Sequence, residues 1–163
     1  QFLDSKKLLG TYLLGGIAGG ILYILSFNLF PVFTPIVKGA LALGASASVM
    51  AVLIAIAAYV PNFSVRLVLI GEVKLKYIAL FYIVMDIISI PNGNAGGHLA
   101  HLGGAFFGFY FAYQLRKGKD ITVGINRLLN YLSALFSGKR KMKDYTVKVV
   151  KELFEVAVAN AYS

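Results

Sequence analysis

The chain contains no cysteine. This excludes disulfides, thiolate zinc sites and a cysteine nucleophile. With two histidines, a metal site built on several imidazoles has almost nothing to draw on. Charge is also scarce: 14% of the 163 residues are Asp, Glu, Lys or Arg, against 58% apolar. A soluble domain carries about 25% charged residues and about 45–50% apolar ones. Mean hydropathy is +0.75. A water-soluble single-core protein is disfavoured, and so is a disordered tail, which would be poor in apolar groups. The length allows one domain, or a piece of one, and the first residue, Gln1, suggests a fragment or a processed product.

What charge there is has a definite place. The net charge is +9, and ten of the sixteen Lys/Arg lie between residues 116 and 163, behind an apolar body. That distribution fits the cytoplasmic flank of a membrane protein rather than a base-reading surface, so no nucleic-acid partner is expected. Four stretches read as membrane spans: 8–27, 20 residues with no charge; 39–60, 22 with none; 77–90, 14 with Asp86 alone; and 98–115, 18 with none. About 20 apolar residues cross a hydrocarbon core about 30 Å thick. The first run is too long for a signal peptide and lacks its small-residue cleavage site. Lys6, Lys7, Arg66, Lys74, Lys76, Arg116, Lys117 and Lys119 flank one side of these spans, and Lys38 stands alone on the other. The positive side is cytoplasmic, so both termini are expected there, with loops 28–38 and 91–97 outside.

Small residues crowd the spans. Gly15, Gly16, Gly19 and Gly20 lie in the first, Gly44, Ala45, Ala47, Ser48 and Ala51 in the second, and Gly104 and Gly108 stand four apart in the fourth. In lipid, such residues let helix backbones approach and gain dispersion contacts, so a tight bundle is expected, with the second and fourth spans inside. None of the glycine clusters is a phosphate loop, since none leads into Lys-Ser or Lys-Thr. Beyond residue 118 the apolar residues Ile121, Ile125, Leu128, Leu129, Leu132, Leu135 and Phe136 follow a helical period, with Asp120 as N-cap. Residues 144–159 repeat the pattern after the basic run Lys139, Arg140, Lys141, Lys143. Residues 119–163 thus read as a basic amphipathic tail that touches anionic lipid.

Polar side chains at membrane depth are costly, so each is a candidate site. Here they are Ser46, Ser48, Asp86, His98 and His101. The charge count places the serine pair and the histidine pair toward the same face of the bilayer. A neutral imidazole within reach of a serine hydroxyl can take its proton and later return it to a leaving amine. A serine in the first turn of a helix also offers a backbone N–H that has no partner within the helix. Other readings stand beside this one. A lone serine in an apolar helix commonly bonds a carbonyl one turn earlier. His98 and His101, three apart, could share a metal, but no third ligand is visible. Asp86 reads as an interfacial or bundle-pairing residue. A channel with Asp86 and the histidines along its path lacks a chain of charges.

The segment GASASVMA (44–51), followed by HLAHLGGAFFGF (98–109), resembles the rhomboid family of intramembrane serine proteases. Gly44 and Ser46 match the Gly-x-Ser motif that opens the family's fourth core span. Ala100, His101, Gly104 and Gly108 match the Ala-His-x-x-Gly-x-x-x-Gly pattern of its sixth. Residues 12–23 look like the third span, and residues 61–81 like the cytoplasmic loop and fifth span. The resemblance runs over about residues 8–118. It implies an all-α membrane protein, with four transmembrane helices of a rhomboid-like bundle in residues 1–118 and an amphipathic helical cytoplasmic tail in 119–163.

In function the resemblance implies an intramembrane serine endopeptidase that cleaves transmembrane protein substrates, with Ser46 as nucleophile and His101 as general base. No metal or other cofactor is implied. The expected location is a bacterial plasma membrane. The family works with a dyad, so Asp86 is left outside it, and His98 matches a position that is not the base. Two departures bear on activity: Ala47 stands where the family usually has Gly, and the family's first two spans, the second of which supplies oxyanion-binding His and Asn, have no counterpart. Loss of one oxyanion donor commonly costs about 100- to 1,000-fold in rate. The alternative expectation is a catalytically impaired relative that binds transmembrane helices without cutting them.

Overall fold

The computed structural model describes residues 3–33, 35, 45–67, 71–91 and 93–136. Among these are five helices and one hairpin: α1 (Ser5–Leu29), α2 (Ser46–Tyr59), β1 (Ser64–Leu67), β2 (Gly71–Lys74), α3 (Leu75–Ser89), α4 (Ala95–Arg116) and α5 (Val123–Phe136). The chain divides into two units, Gln1–Asn126 and Arg127–Ser163. The first holds α1 to α4 and the hairpin.

Within that unit the small residues set the packing, and they do so in a regular register. A Cβ placed on Gly104 would collide with the Ala47 carbonyl, and one on Gly108 with the Ala51 carbonyl. Further along, Arg116 Nη2 donates to the Tyr59 carbonyl at 3.3 Å. In each pair the α4 residue is 57 positions after its α2 partner, so α2 and α4 run parallel, with backbones in contact at both glycines. α1 runs antiparallel to both. Gly15 faces Ala51, while Gly19 faces Ala47 and the Ala100 carbonyl. The Ala47 methyl is accommodated against Gly19 of α1 (2.7 Å from an added Cβ). A cluster of Met50, Ile54, Ala57, Leu75, Ala79 and Ala105 joins α2 to α3 and α4.

By length and composition, α1 is the one helix among the described residues long and apolar enough to cross a membrane. α2, at 14 residues, rises only about 21 Å, and its upstream extension over 39–44 lies outside the described residues. α3 has 15 residues and is likewise short. α4 has 22 residues and is long enough at about 33 Å, but its glycines and histidines dilute its hydropathy. Four crossings are therefore an expectation that helix length supports for α1 and α4, and apolarity for α1 and α2.

Three local features differ from the sequence expectation. First, the segment between α2 and α3 is not purely loop. β1 and β2 pair antiparallel, Val65 opposite Val73 and Arg66 opposite Glu72, with valines on the half-buried face and charged residues outside. Second, α4 begins a turn before His98, because Asn94 caps it: its Oδ1 accepts from the Gly97 N–H at 3.1 Å. Third, Asp120 does not cap α5. Its Oδ1 accepts from the Thr122 N–H at 2.9 Å and the Thr122 hydroxyl at 2.6 Å. This is a side-chain turn of the kind Asp favours, and it delays the helix to Val123. The helix expected over 144–159 lies outside the described residues.

Candidate active site

The alternation of helix directions brings the start of α2, the end of α3 and the start of α4 to one end of the unit. Ser46 is the first residue of α2. The helical ladder there opens with the Val49 N–H donating to the Ala45 carbonyl at 3.0 Å, so the amides of Ser46, Ala47 and Ser48 have no acceptor within the helix. They form its positive end.

Ser46 Oγ lies 2.8 Å from His101 Nε2, across 55 residues of sequence. The other ring nitrogen, His101 Nδ1, lies 2.9 Å from Asp86 Oδ1. His98 Nδ1 approaches the same oxygen at 2.8 Å. The two rings are T-shaped to one another, with centroids 6.2 Å apart. An ionised carboxylate has only acceptors, so against an ionised Asp86 both Nδ1 atoms would be the donors. In that arrangement His101 Nε2 accepts and the Ser46 hydroxyl donates to it.

Ser48 does not compete for this place. Its hydroxyl lies against Gly16 of α1, because two residues along a helix is a rotation of roughly 200°. The sequence reading brought Ser46 and His101 to one site but left Asp86 apart from them. Asp86 is 6% exposed, while its α3 neighbours Met85, Ile87 and Ile88 are 44–58% exposed. The signal available in the sequence was the single charge of span 77–90.

Asp86, His98 and His101 also answer the missing third ligand, since their donor atoms lie within 4.8 Å of one another. The spacing nevertheless suits hydrogen bonds better than a metal. Ligands at 2.0–2.1 Å around a tetrahedral zinc stand roughly 3.3 Å apart, whereas here the nitrogens sit 2.8 and 2.9 Å from the shared oxygen.

A cavity of about 600 Å³ runs from this cluster between α2 and α3. Ser46, Asp86 and His101 stand at one end, and Val49, Met50, Leu53, Ile78 and Tyr82 line the remainder. It is thus an apolar trough with a hydroxyl and an imidazole at its mouth.

Among protein-family models, the Rhomboid domain matches residues 1–118. The chain belongs to the rhomboid family. It is accordingly an integral membrane protein of the rhomboid protease and pseudoprotease group. No curated protein and no solved structure gives a match. The matched segment of this rhomboid chain contains every residue of the Ser46–His101–Asp86–His98 cluster.

Proposed function

We propose that this rhomboid chain is an intramembrane serine endopeptidase acting on transmembrane protein substrates. The observation that carries the reading is the 2.8 Å approach of Ser46 Oγ to His101 Nε2, which is the reach needed for proton transfer. Ser46 attacks the scissile carbonyl as its proton passes to His101 Nε2. The oxyanion forms beside the N-terminus of α2, where the Ser46 N–H donates to it. His101 then gives its proton to the leaving amine, and a water molecule, activated by the same imidazole, releases the acyl group from Ser46. The apolar trough takes the residues flanking the scissile bond, and its wall on α3 is the side from which a lipid-embedded substrate arrives.

The orientation is part of the proposal. Lys6, Lys7, Arg66, Lys74, Lys76, Arg116 and Lys117 belong to the end of the unit away from Ser46. If that end is cytoplasmic, by the positive-inside bias, four helices cross and the site opens toward the outer face of a bacterial plasma membrane. The basic tail then lies on the anionic cytoplasmic leaflet.

Replacing Ser46 with Ala, or His101 with Ala, in the full-length protein is expected to abolish cleavage of a transmembrane model substrate, with protein levels unchanged. Persistent cleavage by Ser46→Ala would overturn the assignment. A second reading, a relative that binds transmembrane helices without cutting them, is favoured by Ala47, which stands where the family usually has Gly. Covalent labelling of Ser46 by a fluorophosphonate would eliminate it.

A further inference from the structure

We infer that Asp86 is a positioning residue of this site: its carboxylate holds His101 in the Nδ1–H tautomer, and His98 holds the carboxylate. The inference rests on the reading of Ser46 and His101 as a hydrolytic pair, and it turns a two-residue device into a three-residue one steadied by a fourth.

The argument starts from cost. Asp86 is the only charged residue of α3 beyond its first turn, and it is buried on a helix whose neighbouring side chains face outward. An ionised group at membrane depth costs several kcal/mol unless paired and hydrogen-bonded. Both partners of Asp86 come from α4, and both meet the same oxygen, at 2.8 and 2.9 Å. Oδ2 is buried and has no hydrogen-bond partner among the described residues. The carboxylate is therefore turned so that one oxygen does all the accepting. If Asp86 served only to tie α3 to α4, one donor would suffice, and nothing would require that the nitrogen it engages be the one opposite the serine.

That placement matters during the reaction. When the Ser46 proton reaches His101 Nε2, the ring becomes an imidazolium whose Nδ1–H still points at Oδ1. The anion offsets the new charge without moving and without taking the proton. The proton leaves again from Nε2 to the amine. Without the carboxylate, the neutral ring is free to carry its hydrogen on Nε2, where it faces Ser46 Oγ and cannot accept. His98 never reaches the hydroxyl. Its Nδ1–H fixes the rotation of Asp86, which by itself could swing Oδ1 away from His101.

Asp86→Asn tests this, because the amide keeps the volume but offers an N–H₂ that can donate to His101 Nδ1 and favour the wrong tautomer. In the full-length protein, kcat is expected to fall by about 10²- to 10⁴-fold with KM within threefold. Asp86→Glu is expected to recover at least tenfold of the loss. The ¹⁵N spectrum of His101 is expected to show Nδ1–H in the native protein and Nε2–H in Asp86→Asn. His98→Ala is expected to lower kcat in the native background and to have no further effect alongside Asp86→Asn.

Several results would overturn the positioning role. One is Nε2–H in the native protein, a reading that does not depend on how any variant folds. Another is an unchanged kcat in Asp86→Asn. The third is a lowered kcat with an unchanged tautomer and reduced thermal stability. Equal effects of His98→Ala in both backgrounds would remove His98 from the device. Failure of the protease reading is separately visible, as cleavage surviving Ser46→Ala.

Discussion

Gly104 is a residue whose missing side chain sets the position of another residue's. A Cβ there would strike the Ala47 carbonyl, and backbone cannot yield as the far end of a flexible side chain can. Gly104→Val must therefore push α4 off α2, and with it His101, three residues earlier on α4. A displacement of about 1 Å can cost about 10²-fold in rate. The expected outcome is at least that loss in kcat/KM, accompanied by a lowered melting temperature. A Cβ on Gly20 of α1 would meet nothing within 4 Å. Gly20→Ala is expected to leave cleavage intact and to raise helix stability by up to about 1 kcal/mol; the pair of variants, measured side by side, separates close packing from mere glycine content. At this scale Ser46 and His101 were legible because short patterns surround them. Asp86 was not. Its direction is fixed by which face α3 turns to α4, a matter of tertiary packing that no spacing within residues 77–90 records.

At the scale of elements, apolar runs located the helices, and capping chemistry corrected their ends. Asn94 starts α4 at Ala95 and so places His98 and His101 in its first two turns. Removing the cap with Asn94→Ala is expected to cost about 1 kcal/mol, read as a drop in thermal stability, and to loosen the turn that presents both imidazoles. The hairpin was hidden for a different reason. Its strands are four residues each, too short for alternation to stand out, and their charges made them look like a loop. Arg66 and Glu72 pair across it at 3.4 Å, but at 81% and 65% exposure. Such a pair contributes at most about 1 kcal/mol, so Glu72→Ala is expected to change the melting temperature little and cleavage not at all. The fold of this connection is held instead by its backbone ladder and by the Leu75 N–H donating to the Phe63 carbonyl at 2.8 Å.

For the whole molecule, the sequence suggested a bundle from small residues alone, and the packing of α1, α2 and α4 through glycine and alanine agrees with it. The number of crossings is the part that composition reads least well, because α2 and α3 are short and α4 is rich in glycine. Orientation can be measured directly, since residues 1–163 contain no cysteine to interfere. Single cysteines at Pro91, beyond the end of α3, and at Ser64, in the hairpin, report opposite ends. In intact cells, a membrane-impermeant maleimide is expected to label Pro91→Cys at once and Ser64→Cys only after permeabilisation. The reverse pattern would invert the proposed topology.

The constant offset of 57 positions between α2 and α4 has a consequence for how the molecule assembles. Sliding α4 by one turn in one direction would bring Ala100 onto Ala47; in the other, Ala112 onto Ala51. Either slip drives a methyl group into a peptide carbonyl. The two glycines thus work as a pair of notches that admit one alignment, and that alignment is the one that sets Ser46 Oγ against His101 Nε2. The geometry proposed for catalysis is in that sense set when the helices dock, before any substrate arrives.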